Sequence, residues 1–187
     1  MALKFFWSCE SETLSATHDF STGDTTATVF GSVTLDAIAA RKGAKGIFIN
    51  APASAMNYRF DPASIFDGLA ETGCMAISVL FPISLPAAHI GWIACRDTGG
   101  TEEVNLRVGP DGAALLRFNS VAGGGAQDIT TAAGAVVVGS WRQLVGRWDA
   151  TSNRRKIEVY DAESNLVGNT YSTATYTKPI EATMIGT

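Results

Sequence analysis

The sequence predicts an all-β chain folded as two stacked antiparallel sheets. Three observations lead there. First, apolar residues recur mainly with period two, as in Val104-Asn-Leu-Arg-Val108, where Val104, Leu106 and Val108 share one face and Asn105 and Arg107 the other. Second, turn clusters separate these runs. The clearest is Gly109-Pro-Asp-Gly112, in which Pro fixes φ and Gly supplies a positive φ. Third, only Asp36–Lys42 and Ala63–Ala70 could be helical, and the second is confined between Pro62 and Gly73, so each is expected to hold a turn or two at most.

In chain order, Leu3–Trp7 is the first expected strand. Its apolar piece ends at Ser8-Cys9-Glu10, too early for a signal peptide or a lipoprotein anchor. Thr28–Leu35 follows, with Val29, Gly31, Val33 and Leu35 on one face, and then the short β-rich Gly46–Asn50. Met75–Phe81 is a nearly unbroken apolar run closed by Pro82, the pattern of a strand buried on both faces. Ile90–Cys95 is another strand. Val104–Val108 and Ala114–Phe118 form a hairpin across the Gly109–Gly112 turn. The loop Ala122-Gly-Gly-Gly-Ala126 lies within the domain, with strands resuming on either side. Trp141–Asp149 places Leu144, Gly146 and Trp148 on one face, and Arg155–Tyr160 places Ile157 and Val159 inward. Asp161–Asn165 is the turn to Leu166–Asn169, and Thr183–Gly186 is the last strand. Roughly a dozen strands at this spacing suit a sandwich or barrel. Residues 1–187 therefore read as a single β-sandwich domain.

Composition narrows the function classes. With 46% hydrophobic and 17% charged residues, the chain is no candidate for disorder. A net charge of −4 argues against a nucleic-acid partner. No apolar run is long enough for a transmembrane helix, so no membrane partner is expected. Cys9, Cys74 and Cys95 are odd in number, lack Cys-x-x-Cys spacing and stand among apolar neighbours. They read as small buried hydrophobes in a reducing compartment, with a Cys74–Cys95 disulfide as the alternative.

The segment Gly139-Ser-Trp141-Arg-Gln-Leu144-Val-Gly-Arg-Trp148-Asp149 resembles the recurrent "G-x-W-x-x-hydrophobic-x-small-x-aromatic-D" strand of the concanavalin A-like, laminin G-like superfamily. Arg155–Asn165 is similar to the hairpin that follows it there, and Thr183–Gly186 to its "hydrophobic-x-Ile-Gly" strand. Tyr58–Phe60 and Cys74–Phe81 resemble the strands before the central hairpin, here Glu102–Asn119. Two departures stand out: Asp161 is followed by Ala162 where the family has Gly, and nothing follows Gly186-Thr187 where the family adds a final strand. The resemblance spans about residues 3–187 and implies an antiparallel two-sheet jelly-roll sandwich used for binding or scaffolding. It also implies a sandwich lacking its final C-terminal strand, with an edge near Leu3–Trp7 to be covered by a neighbouring subunit or by further sequence.

No catalytic residue is expected. Laminarinase-like members carry Glu-x-Asp-x-x-Glu, which sets two carboxylates across the scissile bond. The nearest groupings here, Glu10/Glu12, Glu102/Glu103 and Asp161/Glu163, read as solvated edges and turns. His18 and His89 lack a nucleophile setting, and Gly-x-Ser-x-Gly does not occur. Arg41-Lys-Gly-Ala-Lys-Gly46 is a basic turn without phosphate-loop spacing. No cofactor is required. Calcium is the one cofactor left open, with Asp97 and Asp128 as metal candidates by loop position and turn-capping as their alternative role. Trp148 is expected in the core, Trp141 at a rim, Trp92 in a buried-looking strand and Trp7 partly exposed, and none defines a sugar platform.

A non-enzymatic structural module of a virus particle is therefore expected: a bacteriophage head-decoration or fibre component, made in the host cytoplasm without a signal peptide and carried in the virion. An otherwise extracellular type of fold, without a disulfide framework or an Asn-x-Ser/Thr site, is reconciled by release through lysis. Its partners would be other virion proteins or copies of itself. The alternative is a lectin-like carbohydrate-binding module of a larger adhesin or enzyme, with glycans as partners.

Overall fold

The computed structural model describes residues 27–30, 33–37, 40–41, 46–49, 57–60, 72–96, 102–120, 125–176 and 185–186. The expected strand Leu3–Trp7 and the expected turn Ala63–Ala70 lie outside them. The described strands are β1 (Ala27–Phe30), β2 (Val33–Asp36), β3 (Gly46–Ile49), β4 (Asn57–Phe60), β5 (Thr72–Val79), β6 (Ile90–Arg96), β7 (Glu102–Val108), β8 (Ala114–Ser120), β9 (Gly125–Thr130), β10 (Arg142–Asp149), β11 (Arg154–Tyr160), β12 (Leu166–Ser172) and β13 (Ile185–Gly186). The protein is all-β, with antiparallel sheets and the character of a β-sandwich. Its backbone groups into two compact units, Met1–Phe66 with Ile185–Thr187, and Asp67–Met184.

In the first unit, β1 pairs with β4, β4 pairs with β13 through Phe60↔Gly186, and β2 and β3 form a separate two-stranded sheet. The expected single strand Thr28–Leu35 is thus two strands in two sheets. Alternation in the sequence runs on across Gly31-Ser32, but alternation does not report the partner: β1 pairs with β4, and β2 with β3. Within Asp36–Lys42, expected to hold a turn or two at most, the Ala40 amide donates to the Ala37 carbonyl at 3.1 Å.

The second unit holds two four-stranded antiparallel arrays, β6-β7-β8-β9 and β12-β11-β10-β5. Register makes the core. Val104, Leu106 and Val108 stand opposite Phe118, Leu116 and Ala114, and all six side chains are buried. From the other array come Leu144, Gly146 and Trp148 on β10, and Ile157 and Val159 on β11. A Cβ at Gly146 would stand 2.8 Å from Leu106 Cδ2 and 3.0 Å from Leu116 Cδ1, so glycine lets β10 approach β7 and β8. Trp148 lies across its register partner Gly73, where a Cβ would collide with the indole ring.

Turns follow the sequence where their chemistry is local. Gly112 adopts φ 76° in the β7–β8 turn, whose Asp111 Oδ1 accepts from the Ala113 amide at 3.0 Å. That turn is stitched to the segment after β9. The Val136 amide donates to the Gly112 carbonyl at 2.8 Å, and Thr131 Oγ1 accepts from the Ala114 amide at 2.9 Å.

β5 corrects the expectation of a strand buried on both faces. Gly73, Met75 and Val79 are buried, but Thr72, Cys74 and Ala76 are exposed. An apolar run reports small and apolar residues, not position, and β5 is the last strand of its array. For the same reason Cys74 is an exposed free thiol rather than a buried one, which also removes the Cys74–Cys95 disulfide. Cys95 lies in the other array, opposite Val104.

Candidate functional site: the open face and edge of the β12-β11-β10-β5 sheet

Cross-strand register sets the side chains of this sheet in rows. Tyr171, Lys156, Arg147 and Cys74 form one row across β12, β11, β10 and β5 on the face away from the core. Asn169, Glu158, Val145 and Ala76 form the next. Tyr171 is 54% exposed, while Glu158 and Val145 are buried at the centre of the face.

Glu158 organises the charges. Its Oε1 accepts from Lys156 Nζ at 2.7 Å and from the Tyr160 hydroxyl at 3.0 Å, and Arg147 Nη1 stands 3.6 Å from Oε2. Burial pushes its carboxyl up, but the hydrogen bonds from Lys156 and Tyr160, with the charges of Lys156 and Arg147, outweigh burial, and the pKa falls below the usual carboxylate value. The same hydrogen bond raises the Tyr160 phenol, since ionising it would set two anions together. A carboxyl held ionised in this way serves an ion-pair lattice better than proton donation.

At one end of the sandwich Arg155 points inward, only 4% exposed, with its guanidinium 4.6 Å from the Tyr176 ring and 5.7 Å from that of Phe118. Its Nη1 donates to the Gln127 carbonyl at 3.2 Å, and burial lowers its pKa. Sequence reading missed this residue. Parity held the signal: Arg155 precedes inward Ile157 by two positions, so it shares the inner face.

Among the described residues β12 ends its sheet, with β11 as its one strand partner. The register skips Val167 at an irregularity, after which Gly168–Ser172 pairs regularly with β11. Leu166, Val167 and Tyr171 are all exposed. No charged residue occurs from Leu166 to Thr177. The strand facing β12 from the other array is β9, and its Thr130 carbonyl accepts from Thr170 Oγ1 at 2.7 Å.

The residues singled out in the sequence do not gather into one place. Asp97, Cys9, Glu10, Glu12, His18 and Trp7 lie outside the described residues. Asp128 sits within β9 rather than in a loop, because β9 begins already at Gly125. Its two oxygens accept from Arg117 Nε at 2.8 Å and Nη2 at 2.7 Å. Among the described residues no three potential metal ligands cluster. Glu102 and Glu103 open β7, and exposed His89 precedes β6. Asp161 closes the β11–β12 turn, its carboxylate accepting from the Asn165 amide at 2.8 Å and Asn165 Nδ2 at 2.9 Å, which lowers its pKa. Trp148 is core at 3% exposure, Trp141 is half-buried before β10, and the β6–β7 register skips Trp92.

Asp149 ends β10 and holds the β10–β11 turn. Its oxygens accept from the Ser152 and Thr151 hydroxyls, each at 2.6 Å, and from the Thr151 amide at 3.0 Å. The Ser152 and Thr151 hydroxyl bonds, in that order, lower its pKa to about 2. A carboxyl with a depressed folded-state pKa stabilises fully above its unfolded value of about 4, and the effect is lost as pH falls through the folded value. The melting-temperature gap between the native chain and Asp149→Ala should therefore be constant near neutrality and close as pH drops from about 4 towards about 2. Melting curves across that range check this, and a gap that survives at the acid end contradicts it.

No protein-family model matches the chain, and no curated protein matches it in sequence.

Proposed function

We propose that this chain is a non-catalytic structural module of a virus particle, a bacteriophage head-decoration or fibre component, on a laminin G-like jelly-roll sandwich. The observation that carries the reading is β12, a terminal strand with exposed Leu166, Val167 and Tyr171 and no charge to keep other strands away. A surface of that kind suits a subunit that works in contact with others. The exposed free thiol of Cys74 agrees with a chain that does not mature in an oxidising compartment. The ionised, ion-paired state of Glu158 agrees with a face that binds rather than reacts.

A second reading is a lectin-like module. It is favoured by the exposed Tyr171 ring in one row with Lys156 and Arg147, an aromatic beside hydrogen-bonding groups. One pair of measurements separates the two. Particles banded from lysates of the producing cells should contain the chain in fixed proportion to the shell or fibre proteins, and a glycan array should stay blank. Absence from particles, together with glycan binding that Tyr171→Ala abolishes, would overturn the structural reading in favour of the lectin.

A further inference from the structure

We propose that β12 is a self-complementary edge, through which two copies of this chain pair antiparallel about a twofold axis and join their β12-β11-β10-β5 sheets into one. The proposal names the partner for the assembly reading above and rests on that reading for its setting. Its physical argument stands on β12 alone.

An edge strand presents a row of unpaired amides and carbonyls, and another strand is the group whose spacing matches that row. Edges are ordinarily defended by lysine, by proline or by a covering element. From Leu166 to Thr177 this chain has neither a charge nor a proline. The irregularity at Val167 confines regular pairing to Gly168–Ser172, a stretch centred on Thr170. The Thr170 hydroxyl already bonds the Thr130 carbonyl at 2.7 Å, so it competes for nothing across the edge.

The occupant follows from symmetry and charge. In a twofold pairing each residue meets its own strand reversed, so any edge charge would oppose its copy. An uncharged edge carries no such cost. With Thr170 on the axis, Asn169 of each copy stands opposite Tyr171 of the other, and Gly168 opposite Ser172. Tyr171, 54% exposed in the single chain, then gains a cross-strand neighbour, and exposed Leu166 and Val167 flank both ends of the junction. The opposite edge, β5, is also uncharged, but its exposed side chains are the small Thr72, Cys74 and Ala76. Pairing β12 with β5 of another copy would be head-to-tail and would propagate rather than close.

The test is sedimentation equilibrium of the chain from about 1 to about 100 µM. The expected result is a monomer–dimer equilibrium in which Asn169→Lys and Tyr171→Lys, both at exposed positions, each raise the dimer Kd at least ~10-fold, with the melting temperature unchanged when measured well below the Kd, where the chain is monomeric. Ala76→Lys, on the β5 edge, should leave the Kd unchanged. A mixture of Asn169→Cys and Tyr171→Cys chains, each also carrying Cys74→Ser, should cross-link as a heterodimer. A monomer throughout the range, a dimer indifferent to both edge lysines, or a ladder of oligomers abolished by Ala76→Lys would each overturn the proposal. The two readings fail separately: a β12 dimer absent from particles sinks the virion reading alone, and a monomeric chain found in particles sinks this one alone.

Discussion

Trp148→Ala should lower the unfolding free energy by about 3–5 kcal/mol, the range for removing a large buried aromatic. Three features put this position at the upper end. The indole is 3% exposed, so nearly all its surface returns to water or to a void. Its ring meets Phe118 edge to face, with centroids 5.6 Å apart and planes at 79°, an arrangement that adds to simple burial. Its floor is Gly73, which has no side chain to collapse into the space left behind. Chemical denaturation of the two proteins checks the value. A change under about 1 kcal/mol would mean that the indole does not hold the two arrays together.

Phe118→Ala should cost a similar ~3–5 kcal/mol, and its effect should depend on Arg155. Phe118 is fully buried, 4.9 Å from the Tyr176 centroid, and forms one wall of the site that takes the Arg155 guanidinium. Deleting the ring removes apolar contact and also leaves a buried cation with one aromatic face fewer. In an Arg155→Met background the second loss disappears. A double-mutant cycle should therefore give a coupling of about 0.5–2 kcal/mol between the two positions. Strict additivity would show that Arg155 gains nothing from the ring.

The sequence was most legible where one side chain in two reports burial on its own. Leu144, Gly146 and Trp148, Ile157 and Val159, and the Val104–Val108 face all stand where alternation puts them, because both neighbours of β10, β7 and β11 are strands and parity is the one variable left. The Gly109–Gly112 and Asp161–Asn165 turns were legible because their bonds are local. Position within a sheet was not legible. Met75–Phe81 reads as doubly buried, yet β5 ends its array, and Cys74 is exposed as a result. Partner exchange was equally silent: β1 and β2 share one alternation and belong to two sheets. At the candidate site, Tyr171 lay beyond the expected strand Leu166–Asn169, because Thr170-Tyr171-Ser172 carries no clear alternation. Glu158 and Arg155 went unnoticed because a charged residue inside a strand is ordinarily assigned to solvent, whatever its parity. The Asn105 side of the Val104–Val108 strand is a further case. It reads as a polar outer face, yet Asn105 is fully buried, its Oδ1 accepting from Arg107 Nε at 2.6 Å.

The contact of Trp148 with Gly73 has an evolutionary consequence. Two positions 75 apart in the chain occupy one volume, so neither is free to drift alone. Any side chain at position 73 collides with the indole, and any smaller residue at position 148 leaves a void over a bare backbone. Descendants of this gene should therefore keep the glycine and the tryptophan together, or lose both in an exchange of bulk from one strand to the other. A library randomised at both codons and selected for folded protein should return that anticorrelation in side-chain volume, with large–large and small–small pairs depleted.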